Sequence, residues 1–137
     1  MSKIQVKNII EYWQKTAAHD YKTMLWLLKG KRYSDALFYG HIILEKILKG
    51  LVVEETKKPA PHIHNLTKLA EISGCPLTED QWRILDATNK FNIRCRYPDY
   101  KLRFYQQYNK RTIVKPEIDK IQRLYQILWK ELEQKIK

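Results

Sequence analysis

Apolar residues recur along this chain at intervals of three and four, the period that gathers them on one side of a helix. Val6, Ile10, Trp13, Ala17, Met24 and Leu27 make one such stripe and predict a first helix of about 25 residues, ended by Gly30. Asp20 lies inside the stripe. A carboxylate facing a core must be paired or hydrogen-bonded, so Asp20 is expected to have a basic or hydroxyl partner. A second pattern starts near Tyr33, with Leu37, Leu44, Leu48 and Leu51 on one side and Ala36, Ile43 and Ile47 beside them, and predicts a largely buried helix. Gly40 and Gly50 inside it each cost about 1 kcal/mol relative to alanine. Close approach of another backbone, by tight helix packing or a dimer contact, would account for them.

Residues 56–64 hold Lys57, Lys58, Pro59 and Pro61 and read as a loop, after which His64 or Asn65 opens a short helix ending at Gly74. Thr78-Glu-Asp-Gln81 has the form of a capping box and starts a further helix whose buried side is Trp82, Leu85 and Phe91. After Asn92 the periodicity fades, Pro98 interrupts the chain, and the stretch to residue 115 reads as a loop with some helical turns. Pro116 suits the first position of a final helix, with Glu117 and Asp119 where the helix dipole favours acids. Ile118, Ile121, Leu124, Leu128, Leu132 and Ile136 form its apolar face. No stretch alternates with the period of two that marks strands. The expected fold is all-α: one domain over residues 1–137, an up-and-down bundle of four to five helices.

No apolar run approaches the roughly 20 residues of a membrane span, and the N-terminus lacks the apolar segment of a secretory signal. A cytoplasmic protein without membrane contact is expected. Cys75 and Cys95 offer neither a disulfide framework nor a metal pair and read as small apolar residues. Charge changes the picture more. The chain carries +11, and residues 90–115 hold eight basic side chains (Lys90, Arg94, Arg96, Lys101, Arg103, Lys110, Arg111, Lys115) against Asp99 alone. That concentration favours phosphate-rich or acidic partners.

Within it, Lys90-Phe-Asn-Ile-Arg-Cys-Arg-Tyr-Pro-Asp-Tyr100 alternates cations with aromatic rings, followed by Phe104, Tyr105 and Tyr108. Guanidinium groups grip phosphate through paired donors and rings stack on bases. Alternatively the rings pin an irregular loop to the bundle while the charges are merely solvated, and both accounts stay open. His62 and His64, with no acid or cysteine beside them, give no metal site; His64 is expected to hydrogen-bond at the start of the short helix, backed by Leu66 and Leu69. Glu45 and Lys49 read as a surface i,i+4 pair worth a few tenths of a kcal/mol, roughly. No phosphate-cradling glycine loop or nucleophile motif is present, so no catalytic residue, cofactor or metal is assigned.

Tyr33-Ser-Asp-Ala-Leu-Phe, Glu45-Lys-Ile-Leu-Lys-Gly, His64-Asn-Leu-Thr-Lys-Leu and Arg96-Tyr-Pro-Asp occur in this order. In that succession, over about residues 13–132, the chain resembles the HEPN family of bacterial and archaeal helical domains. The resemblance implies a helical bundle, usually a homodimer, often encoded beside a minimal nucleotidyltransferase in a toxin and antitoxin arrangement. Some members are ribonucleases that use an Arg followed four to six residues later by a His. Here the histidines are His19, His41, His62 and His64, and none follows Arg94 or Arg96. Loss of an acid-base group lowers such a reaction by about 10² to 10⁴. The leading expectation is therefore a nucleotide- or RNA-binding module, with a nucleotidyltransferase as partner. In it Arg94 and Arg96 hold phosphate, Tyr97 stacks or hydrogen-bonds, Asp99 orients one of the arginines, and Lys90, Lys101 and Arg103 add charge. Asp20, Glu45 and His64 have structural polar roles. A competing account has Arg96 and Asp99 locking the loop to the bundle through Asp20 or Glu45. The alternative activity is a ribonuclease toxin in which Tyr97 or Tyr100 replaces the missing His.

Overall fold

The computed structural model describes residues 1–94 and 96–137, so the expectation for Cys95 lies outside the described residues. Six helices and no strand are found among them: α1 (Lys3–Lys29), α2 (Tyr33–Thr56), α3 (Leu66–Ser73), α4 (Glu79–Asn89), α5 (Pro98–Gln107) and α6 (Arg111–Lys135). The all-helical bundle expected from the periodicity is what the chain forms, with two short helices and one missed helix added to the long ones.

α2 is the hub, touching α1, α3, α4, α5 and α6. Its apolar residues run almost all the way round, and Leu37, Ile43, Leu44, Ile47, Leu48 and Leu51 are fully buried. α1 returns antiparallel to it through a three-residue connection in which Lys31, not Gly30, adopts the left-handed conformation (φ 64°). Asp20 on α1 receives the expected partner, a 2.6 Å hydrogen bond from Lys46 Nζ on α2. The glycines of α2 admit side chains rather than a backbone. A Cβ at Gly40 would stand 2.9 Å from Ile121 Cδ1, and one at Gly50 would stand 3.0 Å from Leu132 Cδ2. These two contacts also fix direction, since α6 runs parallel to α2 and opposite to α1. Tyr21 on α1 stacks on Tyr125 of α6 at 4.9 Å between ring centres, closing the three-helix core.

The shorter helices begin where their caps dictate. Asn65 Oδ1 accepts the Lys68 N–H to start α3, and Gly74 (φ 66°) ends it. Thr78 and Gln81 form both halves of their capping box at the start of α4. Two expectations fail between residues 98 and 116. Pro98 does not interrupt the chain within a loop but begins α5, at the first helical position where a missing N–H costs nothing. α5 escapes the periodicity because Phe104 is its only buried residue. α6 in turn starts at Arg111, and Pro116 lies inside it. Val114 is already part of the core there, which outweighs the one backbone hydrogen bond that Pro116 removes. No helix among the described residues is long and apolar enough to cross a membrane.

Candidate functional site

His41, Glu45 and Lys49 stand at i, i+4 and i+8 on α2 and therefore share one face. That face lies under the connection before α3. The Glu45–Lys49 pair, expected at the surface, is buried: Lys49 Nζ donates to Glu45 Oε2 at 2.9 Å with both side chains 8% exposed. His64 folds back over it, its Nδ1 3.1 Å from both Glu45 oxygens, and its backbone carbonyl accepts from His41 Nε2 at 2.9 Å. His64 thus serves Glu45 rather than the start of α3, which Asn65 caps. Burial alone would push the Glu45 carboxyl up, but the hydrogen bond and charge of Lys49, with the His64 hydrogen bond, hold it below the ordinary carboxylate range. Burial pushes the His41 imidazole down to about 4 against the pull of Glu45. His41 is therefore neutral, with its proton on Nε2 and a buried, unpartnered lone pair on Nδ1 facing Glu45 Oε1 at 3.7 Å.

The outer edge of this network opens into a pocket of about 380 Å³ lined by His64, Asn65, Asn89, Asn92 and Arg96. Three stretches of chain meet there. The connection before α3 brings His64 and Asn65; the last residue of α4 is Asn89; Asn92 and Arg96 come from the link to α5. Each asparagine oxygen already accepts a hydrogen bond from local structure. Asn65 Oδ1 accepts from Lys68 N, Thr67 Oγ1 and Asn89 Nδ2; Asn89 Oδ1 accepts the Leu66 N–H at 2.8 Å; Asn92 Oδ1 accepts the Arg94 N–H. What the side chains offer a ligand is mostly N–H donors, the amide hydrogens and the Arg96 guanidinium, beside the outer edge of His64. Among the described residues no carboxylate lies within ion-pair distance of Arg94 or Arg96. A donor-rich lining without a carboxylate suits an anion.

The other basic candidates are divided between two neighbouring grooves. Arg94 lies over the Phe38 ring at 5.7 Å and shares a groove with Lys101, Arg32 and Tyr105. Lys90 and Arg103 share another with Tyr100 and Tyr108. Arg96 rests on the Tyr100 ring at 4.9 Å. Tyr97 is 82% exposed, with nothing holding its ring. Asp99 orients neither Arg94 nor Arg96; it reaches Arg103 at 3.9 Å, both side chains in solvent. The proposed lock also fails, because Asp20 is taken by Lys46 and His19 and Glu45 by Lys49 and His64. Of the aromatic run, Phe91, Phe104 and Tyr108 pack together at 5.0–6.2 Å and pin α5, while Tyr97 and Tyr105 face water.

Sequence reasoning missed His41, Asn89 and Asn92. The spacing of His41 to Glu45 and Lys49 was a usable signal; nothing local marks the two asparagines, which matter only because α3 and α4 meet. Among the described residues no group of three His, Cys, Asp or Glu side chains is arranged to hold a metal.

A family model described as HEPN domain matches residues 10–132. No curated protein and no solved structure matches the chain. The match takes in all of the pocket and the network beneath it, and the chain belongs to the HEPN domain family.

Proposed function

We propose that this protein binds RNA or a nucleotide through phosphate at the pocket around Arg96, with the strand continuing over the aromatic and basic grooves beside it. The donor-rich lining carries this reading: His64, Asn65, Asn89, Asn92 and Arg96 converge on one concavity in which each asparagine oxygen already accepts a hydrogen bond. Arg94 above Phe38, and Lys101 with Tyr105 in the same groove, supply the cation and ring pairing that suits single-stranded nucleic acid. Assembly as a homodimer and pairing with a minimal nucleotidyltransferase complete the proposal and rest on family membership alone.

The test is RNA binding by wild type and an Arg94→Ala/Arg96→Ala variant at several salt concentrations. Each phosphate neutralised on a single strand contributes roughly −0.7 to the slope of log K against log salt. The double variant is expected to bind more weakly with a slope shallower by roughly 1.4. Identical salt dependence in the two proteins would remove both arginines from the interface.

A second reading, ribonuclease activity, gains one observation. No histidine follows the arginines in sequence, but His64 shares the pocket with Arg96 and has a carboxylate behind its Nδ1. That is the arrangement of a general base, and it suits the task better than Tyr97 or Tyr100. Shortening of the RNA by wild type but not by His64→Ala would establish it; intact RNA with growth unaffected by expression would exclude it.

A further inference from the structure

We infer that the pocket is built for a terminal phosphate monoester, the dianionic end of an RNA strand or of a free nucleotide, rather than for a phosphodiester inside a strand. The inference rests on the phosphate-binding reading above and names the form of phosphate. Three features of the lining support it.

The first is the number of donors. Beyond the hydrogen bonds they already make, Asn65 and Asn92 each retain both amide hydrogens and Asn89 retains one, and the Arg96 guanidinium adds its fork. An internal phosphodiester exposes two non-bridging oxygens; a monoester exposes three and accepts from more directions. The donors also come from three sides, the connection before α3, the end of α4 and the link to α5, as a group that ends inside the pocket requires.

The second is charge. Among the described residues Arg96 is the only Lys or Arg lining the pocket, and no carboxylate lies within ion-pair distance of it, so its charge is left to the ligand. A dianionic monoester is drawn to that charge more strongly than a monoanionic diester.

The third is the absence of a surface for a base. Among the described residues His64 is the only ring in the lining, and its edge is engaged by Glu45; the phenol and phenyl rings of the region line the adjacent grooves. Phosphate enters the pocket and the nucleoside stays outside.

The experiment measures affinity of the full chain for one short RNA sequence carrying a 5′-phosphate, a 3′-phosphate or hydroxyls at both ends, with AMP and adenosine as competitors. One phosphorylated form is expected to bind roughly tenfold tighter than the hydroxyl form. The advantage should vanish in Asn92→Asp, which keeps the oxygen that accepts from Arg94 N but replaces two donors by an acceptor, and in Arg96→Gln. Melting temperatures establish that both variants are folded. Displacement by AMP but not adenosine would identify a free nucleotide as sufficient, and displacement by neither would identify the strand end. Equal affinity for all three RNAs would overturn the inference while leaving the phosphate-binding reading intact. A preference that survives both variants would place the end elsewhere and also overturn it, and failure of every RNA to bind would overturn both.

Discussion

Lys49 shows how far one side chain can depart from its usual place. Lysine is rarely buried without a partner, and here the ammonium sits beside Glu45 and 5.4 Å from the centre of the Trp13 ring. Removing one member of a buried pair costs about 3–5 kcal/mol because the other charge is left without compensation. Lys49→Met is expected to lose stability of that order in urea titration, and Lys49→Met with Glu45→Leu to recover much of it. A loss below about 0.5 kcal/mol is what an exposed i,i+4 pair gives and would contradict the burial. The spacing of this pair is legible in the sequence, but its burial is not. Its surroundings are distant in sequence: the Trp13 ring of α1 lies beside Lys49, and the connection before α3 brings His64, nineteen residues on, against Glu45.

His41 makes the same region sensitive to acid. Its pKa is about 4 in the fold against an ordinary 6.5, so between those values the unfolded chain binds a proton that the folded chain does not. Stability is therefore complete above pH 6.5 and falls as pH is lowered through this window, by about 1.4 kcal/mol per pH unit at most. Glu45, also held low, adds a loss of the same sign below its ordinary value of 4.5. The melting temperature is expected to fall between pH 7 and 4.5. In His41→Gln, which keeps a donor for the His64 carbonyl and cannot titrate, the slope should flatten; an unchanged slope would assign the acid sensitivity to other groups.

Among the elements, α2 and α6 set the bundle through the two glycines. A methyl at Gly40 gains about 1 kcal/mol of helix propensity but meets Ile121 Cδ1 at 2.9 Å, and overpacking costs roughly 1–3 kcal/mol. Gly40→Ala is thus expected to be near neutral and Gly40→Val to destabilise by about 2 kcal/mol. Ile121→Val removes the obstructing methyl and should restore part of the loss in the Gly40→Val background; no restoration would mean that the clash lies elsewhere. The sequence shows the long helices because each buries a full stripe. It hides α5, where Phe104 alone is buried, and misplaces the start of α6, where a proline rule for helix beginnings competes with the core position of Val114. Capping residues were the more reliable guide: Asn65, Thr78 and Gly74 stand where the boundaries fall.

For the molecule as a whole, the +11 charge predicts the kind of partner but not its place. Of the basic stretch that looks continuous in sequence, Lys90, Arg94, Arg96, Lys101 and Arg103 lie around the turn from α4 into α5 and are divided among three surfaces. Among the described residues, the surface at Arg96 is the one lined by asparagines and without a phenol or phenyl ring. The candidate arginine is legible in the sequence; the asparagines around it are not, since three residues from separate elements become one site only through packing of α3 on α4. Their side-chain amides also report on the site directly. In ¹H–¹⁵N spectra recorded while a short single-stranded RNA is added, the side-chain amide signals of Asn65, Asn89 and Asn92 are expected to shift together, saturably, and with the affinity read from binding. Shifts confined to the grooves of Lys90 and Arg103 or of Arg94 and Lys101, with these three signals unmoved, would contradict phosphate binding at the pocket.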